Sequence, residues 1–536
     1  MHGAATIRQR RQKGEYDHDQ EDENCPGGIG MLIRGRTGYG RGAPVRRSLN
    51  LLVQPEPSNL MLGIATNAST NLVSGAIYEG LLRYDANLKP MPSLAKSWEI
   101  STDGLVYTFH LQDNIKWHDG QPMTSADVKF TVEDFLTKTQ PRHRTIMAYV
   151  QSVETPDAAT VVFRLKAPFE SFIRVFAYKT MPIVPMHIYK GTEYATNPAN
   201  ATPIGTGPFK FAEWRKGSFI KLVKNPDYYI KGKPYLDQLI YQIVPDGAAR
   251  SAAFETGSID VLPGGTIENF DIPRLAEIDG NCSTEKGWEY SSPVAWMWLN
   301  NRNAPLENVK FRQAIMYALD RDFAKEVVWN GFGKVANGPI ASTTPFYSAQ
   351  EPVYKHDPAK AKSLLKEIGY NGKPLKLLPL PYGETWQRWA EVVKQNLAEV
   401  GIPLEIQSTD VAGWNQRTAQ WDYDLAFTFV AQNGDPATGV ARNYISSQIE
   451  KGNPFNNVEG YSNPEVDKLF ADAATAYPAS ARQGLYDKAQ AILQRDVPVA
   501  WLMELGFPTV YKCKVQDLVV TANGVGNSVR DAWIKK

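Results

Sequence analysis

No stretch of this 536-residue sequence stays apolar long enough to cross a bilayer. A spanning helix needs about 20 consecutive apolar residues, and the most apolar late stretch, VPVAWLMELGFPTV from Val497, is broken by Glu504 and two prolines. Charge of one sign is equally scarce. The 58 Lys and Arg face 57 Asp and Glu, the net charge is +1, and the body of the chain holds no long single-sign block. A nucleic-acid or membrane-surface role therefore lacks an electrostatic basis. Cys25, Cys282 and Cys513 form no CxxC pair and are odd in number. That excludes a zinc ribbon and a dense disulfide framework, and leaves a single Cys282 to Cys513 bridge open.

The common chemical signatures are missing too. GxSxG, HExxH and Walker A spacings do not occur, so hydrolase, metalloprotease and nucleotide-binding readings have no motif to stand on. His2, His18, His110, His118, His143, His187 and His356 are scattered singly, and a lone histidine is more often structural than a metal ligand. The GTGPF run at 205–209 is no phosphate loop, because Pro208 removes one amide and a strand-like FKFAEW follows in place of a helix. No fixed-period repeat is present, which excludes solenoids and propellers.

What is there is a globular composition: 43% hydrophobic residues, 41 glycines and 36 prolines predict a folded chain rich in turns, long enough for two or three lobes. Residues 1–47 stand apart. They mix arginines with the acidic cluster EYDHDQEDE and show no helical or strand period, so they read as disordered, a mispredicted start or damaged leader ahead of a normal mature domain. The apolar patch GGIGMLI is too short for a recognisable signal peptide, and Cys25 follows acidic residues, which leaves a lipoprotein anchor unsupported.

Strands and punctuated helices alternate along the rest, the pattern of α/β lobes. Tyr107, Phe109 and Leu111 share one strand face, Asp103-Gly104 turns the chain before them, and Trp98 and Ile100 line the partner strand. Asp119-Gly120 makes a second turn, and Thr124 with Asp127 forms a capping box for a helix whose apolar face is Val128, Val132, Phe135 and Leu136. His118 and Asp119 are then turn residues, with the carboxylate accepting backbone hydrogen bonds and orienting no imidazole. Asp357-Pro358 and Asn463-Pro464 cap two further helices, and Gly369 and Gly401 end two. The 13 Trp, 25 Tyr and 21 Phe cluster on turn-flanked segments, which suits a large cleft for a partly polar ligand.

Several segments together resemble the family 5 extracytoplasmic solute-binding proteins of ABC transporters: LAKSWEISTDGLVYTFHLQDNIKWHDGQPMTSADVKFT, PIGTGPFKF, NPDYY, FETGSIDVL, LNNRNAPLENVKFRQAIMYALDR, YKHDPAKAKSLLKEIGY, NGDP and YSNPEVDKL. They run in the family's order from about residue 48 to the C-terminus. The resemblance implies an α/β, two-lobed periplasmic-binding-protein fold with an additional subdomain and a hinged cleft. One lobe would take 48–70, 203–294 and 500–536, the subdomain 71–202 and the second lobe 295–499. It also implies capture by lobe closure, delivery to an ABC transporter permease, an extracytoplasmic and periplasmic location, a monomer, no cofactor, no metal site and no catalytic residue.

The family's peptide binders hold the ligand's α-amine with an aspartate four residues before the proline of the DP motif. Gln432 stands there in this sequence, and an amide supplies neither the charge nor the charge-assisted hydrogen bond. The arginine of oligopeptide binders is matched by Phe427. A peptide-like solute therefore competes with an opine, a sugar or a nickel complex. The resemblance points to Gln432, Asn433, Trp414, Asp435 and Glu56 as ligand-binding residues, with Asp435 also placed in the motif's turn; the aromatic clustering adds Tyr78, and Trp296, which shares one strand face with Trp298, is open to cleft or core. A hydrolase on the same scaffold would need a nucleophile and base converging in the cleft.

Overall fold

A computed structural model describes residues 47–65, 67–349, 354–453 and 455–535. The described residues belong to one unit, residues 46–536, and the reading of 1–47 as disordered lies outside them except at Arg47, whose N–H donates to Asp237 Oδ2 at 2.8 Å.

Leu49, Leu51 and Val53 on one face of SLNLLV and Leu52 on the other make Ser48–Val53 a strand buried on both faces. It runs parallel to Gln238–Ile243, in register Ser48 to Gln238 through Val53 to Ile243, and parallel to Val261–Leu262. Antiparallel neighbours extend the sheet to seven strands, in the order Asn281–Thr284, Thr509–Lys512, Val261–Leu262, Ser48–Val53, Gln238–Ile243, Phe219–Lys224, Phe209–Arg215. A second sheet has six strands: Lys334–Val335, Val499–Glu504, Val294–Leu299, Leu425–Val430, Leu375–Leu378 and Leu404–Ile406. Its central strand, VAWMWL, is buried at every position, as expected for a strand covered by helices on both sides.

A third, four-stranded antiparallel sheet holds the expected hairpin. Trp98 pairs with Phe109 and Ile100 with Tyr107; Tyr107, Phe109 and Leu111 point into the core, while Ile100 is exposed. This sheet shares one continuous core with the seven-stranded sheet, and the six-stranded sheet has a core of its own.

The chain crosses between the two large sheets twice, through 285–293 and through 505–508. Because Val499–Glu504 pairs inside the six-stranded sheet, the return crossing follows Glu504. The crossings touch: Trp288 Nε1 donates to Phe507 O at 2.9 Å, and Leu505 N to Pro293 O at 2.8 Å. Cys282 and Cys513 form a disulfide beside them, with Cα atoms 5.1 Å apart.

Candidate functional site

The HDG block holds segments together. His118 N donates to Gly205 O at 2.9 Å, Gly205 N donates to His118 Nδ1 at 3.3 Å, and Nε2 lies 3.0 Å from Gly207 O. An Nδ1 that accepts carries no proton, so Nε2–H is the donor to Gly207. Burial pushes the imidazole down to about 4, and it is neutral at physiological pH. Asp119 accepts from Gln121 N as expected, at 3.1 Å, but its Oδ2 also sits 2.7 Å from His187 Nε2. The aspartate does engage an imidazole, one supplied by the distant helix Met186–Tyr189, which sequence spacing does not reveal. Thr124 and Asp127 form the capping box.

Residues of the 71–202 segment meet residues of the six-stranded-sheet region around Asp435. Asp435 caps the short helix Pro436–Gly439 by accepting from Ala437 N. Its oxygens also take Arg482 Nη2 at 2.7 Å, Arg482 Nη1 at 3.0 Å and Arg174 Nη1 at 2.9 Å. Arg482 continues to Ser171 Oγ at 2.9 Å and lies over the Phe346 ring. Burial alone would raise the Asp435 carboxyl, but the Arg482 and Arg174 cations outweigh it and hold it below its ordinary value. Arg174 and Ser171 belong to one side, Asp435 and Arg482 to the other. The contacts that cross, Arg174 to Asp435 and Arg482 to Ser171, fix the two sides against each other.

Beside the network lies a cavity of about 270 Å³. One wall comes from the helix Pro141–Met147 and the segment after it: Arg142, Thr145, Ile146, Tyr149 and Phe169. Pro141 at the first helical position starts this helix, and Gln140 ties it to Gly63 O. The other wall comes from Pro436–Gly439, the turn Ala441–Asn443 that carries Arg442, and the helix Pro464–Thr475 that carries Phe470. Tyr149 stacks on Phe169 at 4.3 Å. Gln448 and Asn456 bond each other at 2.9 Å in the second wall.

The residues singled out from sequence lie elsewhere, and none lines this cavity. Trp414 stacks on Trp298 and Trp296 packs on Tyr444, both inside the core of the six-stranded sheet. Tyr78 is fully buried in the other core. Glu56 accepts Trp214 Nε1 at 2.9 Å and Gly217 N, and so holds a hairpin. Asp435 is consumed by the arginine network. Gln432 is fully buried with Oε1 unpartnered, and Asn433 sits at φ +51° with Nδ2 unpartnered, at the end of strand Leu425–Val430. Sequence reasoning missed Arg142 and Arg442. Position was the one available clue, since Arg442 follows shortly after the DP turn, but which residues share a cavity leaves no mark in a sequence.

A family model of bacterial extracellular solute-binding proteins, family 5, matches residues 89–451. The glutathione-binding protein GsiB of Pectobacterium atrosepticum is 28% identical over 466 residues, covering 82% of this chain and 85% of its own length. Heme-binding protein A of Haemophilus influenzae is 28% identical over 470 residues, 82% and 83% of the two chains. Among solved structures, the binding protein AgaA of A. tumefaciens R10 in complex with agropinic acid has a TM-score of 0.80 at 28% identity, covering 91% of this chain and 99% of that one. The periplasmic binding protein DppA of Helicobacter pylori with the peptide STSA has a TM-score of 0.79 at 25% identity, with 91% and 98% covered. These relatives are binding proteins, their two-lobed α/β fold is the one described above, and the chain belongs to the bacterial extracellular solute-binding proteins of family 5.

Proposed function

We propose that this protein captures a small organic solute in the cavity between 142–169 and 437–474 and presents it in the closed form to an ABC transporter permease, making and breaking no bond. The observation that carries this reading is the buried Asp435 network, which draws the two walls together beside the cavity. A solute touching both walls favours the arrangement in which they meet, and it shifts that equilibrium only by its preference for the closed state.

The volume narrows the cargo. About 270 Å³ lies just under the lower end of ordinary ligand pockets, roughly 300–1,000 Å³, which favours a solute of amino-acid to dipeptide size over a long peptide. The relatives' names include glutathione, heme, a tetrapeptide and an opine-type acid, and the smaller of these match the cavity best. We assign the first lobe to 48–70, 203–294 and the segment after Glu504, the additional subdomain to 71–202, and the second lobe to 295–504. Sheet membership supports this division. The disulfide supports an oxidising, periplasmic location.

The test is thermal unfolding of the full chain, stripped of bound solute by mild denaturation and refolding, against a broad library of small solutes. A binder at about 100 times its dissociation constant adds roughly 2.7 kcal/mol and raises the midpoint by a few degrees. The solute should then be recovered unaltered at one equivalent per chain. Consumption of the solute on incubation would replace transport by catalysis.

A further inference from the structure

The charge of the cavity is the feature that solute capture alone leaves unexplained. Arg142 reaches it from one wall and Arg442 from the other. Both side chains are half-buried and both Nε atoms are buried without a partner. Arg442 donates Nη1 to Phe455 O at 2.7 Å. Among the described residues no carboxylate pairs with either one: the titratable neighbour of Arg142 is Tyr290, and that of Arg442 is Arg142 itself.

Other buried arginines of this chain are used differently. Arg482 has Asp435, Arg83 has Asp531, Arg312 donates to the carbonyls of Leu306, Glu307, Asp496 and Val497, and Arg321 to those of Ala336, Tyr354 and Trp501. The carboxylate in the cavity wall, Asp467, is already held by the N–H and hydroxyl of Ser446. Burial holds the Arg142 guanidinium below its ordinary value, and burial followed by the repulsion of Arg142 holds Arg442 well below. Two partly desolvated cations lining one cavity are costly unless an anion joins them. The guanidinium fork matches a carboxylate with two parallel hydrogen bonds.

We infer that the cavity takes a small organic acid with two carboxylates, one for each guanidinium, and an apolar body lying against Phe169 and Phe470. This rests on the solute-capture reading and deepens it. The available space, about 270 Å³, is that of roughly nine liquid waters and suits such an acid. A phosphate monoester shares the dianionic chemistry, and the test separates the two.

Unfolding midpoints of the stripped full chain are measured with dicarboxylates from succinate to suberate, the matching monocarboxylates, glycerol phosphate and a neutral dipeptide amide. A dicarboxylate raises the midpoint, its monocarboxylate binds more weakly, and Arg142→Gln and Arg442→Gln each weaken the dicarboxylate by about 10- to 100-fold. In the solute-free protein Arg442→Gln raises the midpoint, because an uncompensated charge is removed. A fall of several degrees there would assign the guanidinium to packing and overturn the inference, which covers the case of a variant that folds poorly. Stabilisation by glycerol phosphate alone overturns the carboxylate assignment. Binding of the dipeptide amide without any dianion leaves solute capture standing and removes this inference, whereas an absence of binding by every class removes both.

Discussion

Glu79 is 3% exposed and accepts hydrogen bonds from Tyr228, Tyr229 and Thr206 hydroxyls at 2.7, 2.9 and 3.2 Å. Burial raises its carboxyl from 4.5 to about 7, and the three hydroxyls and Arg83 only partly offset that. A carboxyl raised on folding stabilises the folded state fully below its unfolded value and loses that contribution as pH rises through the folded one. The window is therefore pH 4.5 to 7, and the contribution is about 3 kcal/mol. Unfolding midpoints of wild type and Glu79→Gln compared between pH 5 and 8 should show the wild type losing stability with rising pH relative to the variant; parallel profiles would show that Glu79 is ionised throughout. His118 works in the opposite sense, since an imidazole lowered to about 4 removes stability as pH falls below 6.5, so the two groups partly cancel in slightly acid conditions. The sequence placed His118 correctly in a structural turn. It could not show the tautomer or the burial, because both depend on Gly205 and Gly207, which are distant in sequence.

At the level of elements, the GTG run shows why a glycine pattern reads as a signature without being a phosphate loop. A Cβ at Gly205 would lie 2.0 Å from Ile77 O, and one at Gly207 would lie 2.6 Å from Ala76 O. The run packs flat against another backbone, and a backbone atom cannot move aside as a side chain can. Gly205→Ala is expected to cost about 3 kcal/mol or more, read as a lower denaturant midpoint. Gly484→Ala, inside the helix Ala479–Asp496 with nothing within 4 Å, should gain about 0.5–1 kcal/mol; equal effects at the two positions would remove the close-approach argument. Local devices of this kind were legible. Asp357 and Asn463 cap their helices, and Gly369 and Gly401 end theirs at φ +64° and +87°. The cavity was not legible, because its walls come from 142–169 and 437–474 and meet only through tertiary packing. Period-2 reasoning put Trp296 and Trp298 on one strand face, but a buried face and a cleft face carry the same pattern, and the packing of Tyr444 and Trp414 decides for the core.

For the molecule as a whole, both connections between the large sheets run through one corner of the seven-stranded sheet. The edge strand Asn281–Thr284 pairs with Thr509–Lys512, the outgoing crossing starts from the first and the returning crossing enters the second. The Cys282–Cys513 disulfide joins these strands across a sequence separation of 231 residues, so it closes a loop that contains the entire six-stranded sheet. A cross-link over so long a loop removes much of the unfolded chain's freedom, and in native proteins such a bond is worth about 2–5 kcal/mol. It sits on the sheet edge and not in the crossings, so it anchors the corner while leaving 285–293 and 505–508 outside the cross-link. Loss of the bond is therefore expected to lower stability without abolishing solute binding. The denaturant midpoint of Cys282→Ser/Cys513→Ser should fall by an amount equivalent to about 2–5 kcal/mol, and a reductant should shift the wild type to the same midpoint. Cys25 is kept in both proteins, so its thiol cancels from the comparison. The affinity for a stabilising solute should stay within about threefold. A double variant that keeps its midpoint would show that the strand pairing alone holds the corner, and one that folds normally but no longer binds would move the bond from the anchor into the hinge.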